Sequence, residues 1–139
     1  MSIIYQAEDI KLPNIKKLET NVWIKQVARL YNKKVGDINY IFCSDEKILE
    51  INKQYLQHDY YTDVITFDYT EDDIISGDIF ISLDTVKSNS EKYGTEFQDE
   101  LNRVIIHGIL HLCGINDKSP EEENEMRKRE EGALLLLKN

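Results

Sequence analysis

The stretch Leu101–Lys118, LNRVIIHGILHLCGINDK, decides how this chain is read. At 100° per residue, His111 falls about 40° from His107 around a helix, Arg103 about 40° to the other side and Glu100 about 20° away. One polar stripe therefore carries both imidazoles. Leu101, Ile105, Ile109 and Leu112 form an apolar stripe on the opposite side, wide enough to bury the helix against a sheet and make it rigid. Two imidazoles one turn apart on a fixed helix converge on one point outside it, which is what a divalent metal requires of nitrogen ligands. The next position on that face lies too far along the axis to supply a third ligand. Gly114, three residues after His111, can take a positive φ, stop the helix and turn the chain back, so that Asp117 returns towards the histidines. Cys113 lies about 200° from His111, on the apolar back, and is expected in the core. Histidines at a core edge, bonded to backbone or carboxylate, are the competing reading of the same pair.

The set His107-x3-His111-x5-Asp117 resembles the metzincin spacing H-x-x-x-H-x-x-G-x-x-H with a carboxylate last, so a zincin-like metal helix is expected. Zinc peptidases with this spacing place Glu directly after the first His as general base; here that residue is Gly108, which removes support for peptide hydrolysis. Three protein ligands still leave a position for a water and for a phosphoryl or carbonyl oxygen, so hydrolysis remains the natural chemistry. An Asp ligand cancels one unit of positive charge, acidifies the water less and tolerates harder metals better.

Outward from this helix, the rest of the chain fits around it. Residues 2–6 suit a short strand. Pro13 precedes a helical stretch from Asn14 to Asn32 in which Ile15, Leu18, Val22, Val27 and Leu30 follow helical spacing, with Trp23 and Tyr31 adding bulk. Val35–Cys43 alternates as a strand, and Ser44 N-caps a helix running to about Tyr55. Asp63–Tyr69 and Gly77–Leu83 alternate as two further strands facing each other. The acidic connection TEDDIIS is too long for a tight hairpin and is expected as a mobile surface loop. Helices follow over Leu83–Tyr93 and Glu96–Cys113, and a last one opens at Ser119, Pro120 and Glu122 with a capping box and Pro at its first position. The expected fold is a single α/β domain over residues 1–139, with a mixed sheet of about four strands and about five helices.

Composition narrows the function. A chain of 139 residues with 41% hydrophobic and 31% charged residues is sized for one core and is neither disordered nor fibrous. No apolar run suffices for a membrane helix, and the start has no basic region followed by an apolar block, so no membrane association and a cytoplasmic location are expected. The two cysteines, Cys43 and Cys113, form no CxxC pair or disulfide framework. A net charge of −9 repels polyanions at long range, so any nucleic-acid role must be local. Arg127–Arg129 is the densest basic stretch, and the glutamates beside it favour a solvated helix face.

Taken in order, several segments resemble the YbeY family of bacterial metal-dependent endoribonucleases. The signature H-G-x-L-H-L-x-G-x-D-H is met by His107, Gly108, Leu110, His111, Leu112 and Gly114. Asn52–Tyr55 with Thr62–Phe67 resembles N-x-x-Y and T-D-V-L-S-F, Gly77-Asp78-Ile79 resembles a G-D-I strand start, and the last helix is similar, with Met126 after an acidic opening. The resemblance implies a divalent metal, with zinc as the expected ion, held by His107, His111 and the third position, which is His in the family and Asp117 here. It also implies cleavage of single-stranded RNA, maturation of the 16S rRNA 3′ end, ribosome quality control and contact with the ribosome or small-subunit proteins, with no role on DNA. Asn116 stands where the family has Asp, Leu56 where it usually has a phosphate-binding Arg, and Tyr61 where it has Pro. His58, two residues after Leu56, is then the substitute candidate for phosphate or proton relay, and Lys118 is the nearest cation to the metal ligands. Asp63 is expected to serve its loop by accepting from backbone N–H groups. Two other functions compete: a ribosome-assembly factor whose metal only fixes the fold, which the acidic surface and Leu56 favour, and a metal-dependent hydrolase of small molecules or peptides.

Overall fold

A computed structural model describes residues 2–56 and 63–138 of the chain. Among these, the strands are β1 (Ile3–Ala7), β2 (Lys34–Cys43), β3 (Val64–Asp68) and β4 (Ile74–Ser82). The α-helices are α1 (Lys17–Leu30), α2 (Asp45–Ile51), α3 (Leu83–Tyr93), α4 (Phe97–Leu112) and α5 (Pro120–Lys138). They form one α/β domain on a mixed sheet of order β1-β2-β4-β3, in which β1 and β4 flank β2 in parallel and β3 runs antiparallel along β4.

Strand alternation divides the core as a pleated sheet must. Ile38, Tyr40 and Phe42 of β2 and Ile75, Ile79 and Ile81 of β4 are fully buried in one cluster with Trp23, Ile24 and Val27 of α1, the apolar side of α4, and Met126 and Ala133 of α5. On the other face Cys43 and Ile65 pack with Ile48 and Ile51 of α2, flanked by Phe67 and Phe80. Each fully buried aliphatic side chain stabilises the fold by about 1.5–3 kcal/mol, so α4, with seven buried Leu, Ile and Val residues, is held firmly. Buried polar groups fix the layers in register: the Tyr40 hydroxyl donates to the Ile105 carbonyl at 2.9 Å and the Trp23 indole N–H donates to the Ala133 carbonyl at 2.7 Å.

Three expectations need correction. In α1 the buried face is Thr20, Trp23, Ile24, Val27 and Ala28, whereas Leu18, Val22 and Leu30 are exposed. Trp23 sets the rotation of the helix, because its large ring and donor N–H both find partners inside. The acidic TEDDIIS connection is a tight turn and not a long loop. Glu71 and Ile74 exchange backbone hydrogen bonds at 3.2 and 3.0 Å, and Asp72 takes the left-handed φ of 54° that a two-residue turn needs. The ladder therefore runs on past Asp68 and Gly77 to the turn, and β4 begins at Ile74. The helix after Ser44, whose hydroxyl accepts from the Lys47 N–H, ends at Ile51 and passes into one π-helical turn, Asn52–Leu56. No helix among the described residues is long and apolar enough to cross a membrane.

Candidate metal centre

Gly108 brings α4 close to the sheet: a Cβ at that position would lie 2.8 Å from the Ile79 side chain. That approach explains Gly where a zinc peptidase carries Glu, since residue 108 faces β4 and has no space for a longer side chain. His107 and His111, on the other side of α4, are left at the protein surface with 12% and 31% of their side chains exposed.

The helix stops as expected. Gly114 has φ 97°, the Ile115 N–H donates to the Leu110 carbonyl and the Gly114 N–H to the His111 carbonyl, both at 3.0 Å. This closure is of the kind that satisfies the last carbonyls and reverses the chain. Asp117 then returns to the histidines, with Oδ2 at 3.4 Å from His107 Nε2 and Oδ1 at 3.2 Å from His111 Nε2. One donor atom from each of the three residues lies within 4.8 Å of the other two.

Two observations test whether this set suits a cation. Donors about 2.1 Å from a common tetrahedral centre stand about 3.4 Å apart, and each Nε2 stands near that distance from one or the other oxygen of the carboxylate, farther than in a charge-assisted hydrogen bond of about 2.8 Å. The protonation pattern also fits. Glu130 Oε2 lies 2.6 Å from His107 Nδ1. An ionised carboxylate only accepts, so Nδ1 carries the proton and Nε2 keeps its lone pair for the site. Burial, with the second imidazole adding to it, lowers the pKa of His111 despite Asp117, which favours the neutral, ligating form. Cys113 is no competitor: it packs half-buried against the core, and burial pushes its thiol up to about 11.

Behind His107 stands a buried ionic network. Arg103 donates through Nε and Nη2 to both oxygens of Glu100 (3.0 and 2.6 Å), through Nη1 to Glu130 Oε1 (3.1 Å) and through Nη2 to Asp63 Oδ2 (3.2 Å). Glu100 and Glu130 are only 5% and 3% exposed. Burial alone would raise the Glu130 pKa, but the hydrogen bond to His107 and the charge of Arg103 outweigh it and leave the carboxyl below its ordinary value. For Arg103 burial opposes the charge, and the three carboxylates more than restore it. The Asp63 carboxylate meets the guanidinium of α4, tying the start of β3 to the metal helix; the loop it was expected to serve lies outside the described residues.

Sequence reasoning placed Arg103 and Glu100 on the histidine stripe but missed Glu130. The available signal was spacing: Met126, Glu130 and Ala133 follow the i, i+4, i+7 pattern of the buried face of α5. The capping box that aims this helix is present, Ser119 Oγ accepting from the Glu122 N–H at 3.1 Å and Glu122 Oε1 from the Ser119 N–H at 3.1 Å. A cleft of about 260 Å³ opens beside the cluster, lined by His107, Asp117, Arg103, Arg127 and Glu130 among others. Arg103 is saturated by its carboxylates, whereas Arg127 makes no ion pair among the described residues and faces the same cleft. Lys118 is exposed next to Asp117, its backbone N–H donating to Glu122. His58, Tyr61 and Thr62 lie outside the described residues.

A family model described as Endoribonuclease YbeY matches residues 3–138. The chain is 66% identical over 137 residues to a protein named Endoribonuclease YbeY from Parabacteroides distasonis, covering 99% of this chain and 96% of that one. To the protein of the same name from Bacteroides thetaiotaomicron it is 62% identical over 136 residues, covering 98% and 99%. A solution structure of a Thermotoga maritima protein superposes with a TM-score of 0.63 at 28% identity, over 95% of this chain and 89% of that one.

Proposed function

This chain belongs to the YbeY family of endoribonucleases, and from that premise we propose that it cuts single-stranded RNA at the cluster of His107, His111 and Asp117. The 3′ end of 16S ribosomal RNA and the RNA of defective ribosomes are its targets in this reading, small-subunit proteins its partners and the cytoplasm its location. The observation that carries the assignment of the site is the approach of both Nε2 atoms to the two oxygens of one carboxylate, at 3.4 and 3.2 Å.

These three side chains would hold one divalent ion, with zinc expected. When bound, such an ion supplies Lewis acidity towards a phosphoryl oxygen and a water of lowered pKa. The chain's own residues do the rest. Glu130, held by Arg103, fixes the ring orientation and tautomer of His107. Arg127 projects into the cleft, where it would meet the negative phosphate, and Lys118 and His58 are further proposed phosphate ligands. The buried position of residue 108 leaves α4 without the base of a peptidase, so phosphodiester cleavage is favoured over peptide cleavage.

Purified protein with zinc or manganese, offered matched single-stranded and double-stranded RNAs, tests the proposal. Cleavage confined to the single strand, one bound ion per chain and a loss of about 100-fold or more in His111→Ala are expected. Equal cutting by the wild type and His111→Ala would refute the site.

A further inference from the structure

We infer that a basic groove at the end of α1, at the same end of the molecule as the metal cleft, holds the phosphate backbone of the RNA strand several nucleotides from the cut. This rests on the RNA-cutting role proposed above. Its starting point is the charge of the whole chain. With 26 acidic against 17 basic residues, a groove lined by four cations and no carboxylate stands apart from the rest of the surface.

The cations fall into two sets, one at the cleft and one at the groove. Arg127 lines the cleft with His107 and Asp117. Two positions on and about 200° around the helix, on the side of α5 away from the cleft, the Arg129 guanidinium lies 5.3 Å over the ring of Tyr31, which ends α1. On the α1 side opens a groove of about 530 Å³ whose lining includes Lys25, Arg29, Lys33 and Lys34 and no carboxylate. The sheet places this groove and the metal cluster at the same end of the molecule. Leu112, beside His111, comes close to Gly77, and Gly77 lies three residues from Ile74, the partner of Lys34 in the β2–β4 ladder.

Local structure does not account for these cations. A helix dipole favours Arg29 in the last turn of α1, but not Lys25, Lys33 and Lys34 together. Their carboxylate partners are weak competitors. Lys33 meets Asp73 at 3.6 Å, with Asp73 77% exposed, and Arg129 meets Glu125 at 3.0 Å with both partly exposed. Exposed pairs of this kind hold loosely, and a phosphate can displace them. A polyanion of regular charge spacing is what such a line of cations fits, and single-stranded RNA is the polyanion the adjoining site would cut.

The test compares Arg29→Glu/Lys33→Glu with a charge-matched control on α3, Lys87→Glu/Lys92→Glu, on single-stranded RNAs of 4 and 20 nucleotides at several salt concentrations. The groove variant is expected to raise KM for the 20-mer about tenfold over the control, with kcat retained. Its affinity should also depend less steeply on salt, by about 1.4 in log–log slope, at about 0.7 for each of two phosphates no longer neutralised. On the 4-mer, too short to reach the groove, the two variants should agree. Equal KM and equal salt slopes on the 20-mer, with a wild type that cuts both RNAs, would overturn the role of the groove and leave the nuclease reading intact. A wild type that cuts neither RNA would overturn both. Loss of binding to a small-subunit ribosomal protein with the 20-mer KM unchanged would assign the groove to protein instead and refute the inference.

Discussion

At the scale of the residue, the site depends on a side chain that ligates nothing. Glu130 is 3% exposed and spans the gap between His107 Nδ1 and Arg103. Partners of this kind typically carry about 10–100-fold in metal affinity. Glu130→Gln keeps the shape, but its amide offers either an N–H or an oxygen to Nδ1 and removes a charge from the network. The expected result is a 10–100-fold weaker affinity for zinc in competition with a chromophoric chelator, partial recovery in Glu130→Asp, and a shift of the His107 ring nitrogen resonances. Affinity and resonances like those of the wild type in Glu130→Gln would show that the hydrogen bond is incidental. The two imidazoles and Asp117 were legible in the sequence because spacing on a helix and the turn at Gly114 are local. Glu130 and Asp63 were not, because each acquires its role from an approach to α4 that sequence distance conceals: Asp63 lies 40 residues from Arg103, and Glu130 23 from His107.

Among the elements, α4 and the turn that ends it do most to place the site. The strands around it were readable from alternation alone, and the caps at Ser44 and Ser119 from their side chains. The rotation of α1 was not readable, because Leu18 and Val22 fit the helical period as well as Trp23 and Ile24 do, and only the shape of the neighbouring core chooses between them. The tight β3–β4 turn was missed for a related reason. Asp72 supplies a left-handed φ usually associated with Gly or Asn, so the acidic run did not show a turn signal. Gly114 is the position where the backbone itself determines function. No atom lies within 4 Å of a Cβ placed there, so Gly114→Ala meets no clash and tests the φ of 97° alone. A destabilisation of about 1–3 kcal/mol is expected from denaturant unfolding, together with weaker zinc binding, since a turn that relaxes towards negative φ carries Asp117 away from His111. A variant as stable and as tight-binding as the wild type would show that the return of Asp117 does not need this conformation.

For the whole molecule the question is whether the cation builds the fold or only the site, which separates an enzyme centre from a structural metal. The main buried cluster draws on β1, β2, β4, α1, α3, α4 and α5, and a second cluster lies across the sheet, so the apolar core secures α4, which carries both histidines, and the helix that follows the Asp117 turn. The ligands themselves sit at its margin, partly exposed. Such a domain should remain folded without metal, unlike a zinc finger, whose folding free energy is its binding free energy. A ligand that binds only the native state adds about 2.7 kcal/mol at 100 times its dissociation constant. For a chain of this length that amounts to a rise in Tm of roughly 9 °C. Chelation is therefore expected to lower Tm by roughly 9 °C, to leave the far-UV circular dichroism at 25 °C unchanged, and to abolish RNA cleavage reversibly. Collapse of the circular dichroism on chelation, with RNA untouched by the metal-loaded protein, would instead make the ion a structural element. The acidic surface would then have to be explained by a protein partner and not by a substrate. The arrangement argues against that outcome, because a metal needed to hold the fold would lie where it closes the core, whereas His107 and Asp117 line an open cleft and His111 beside them is 31% exposed.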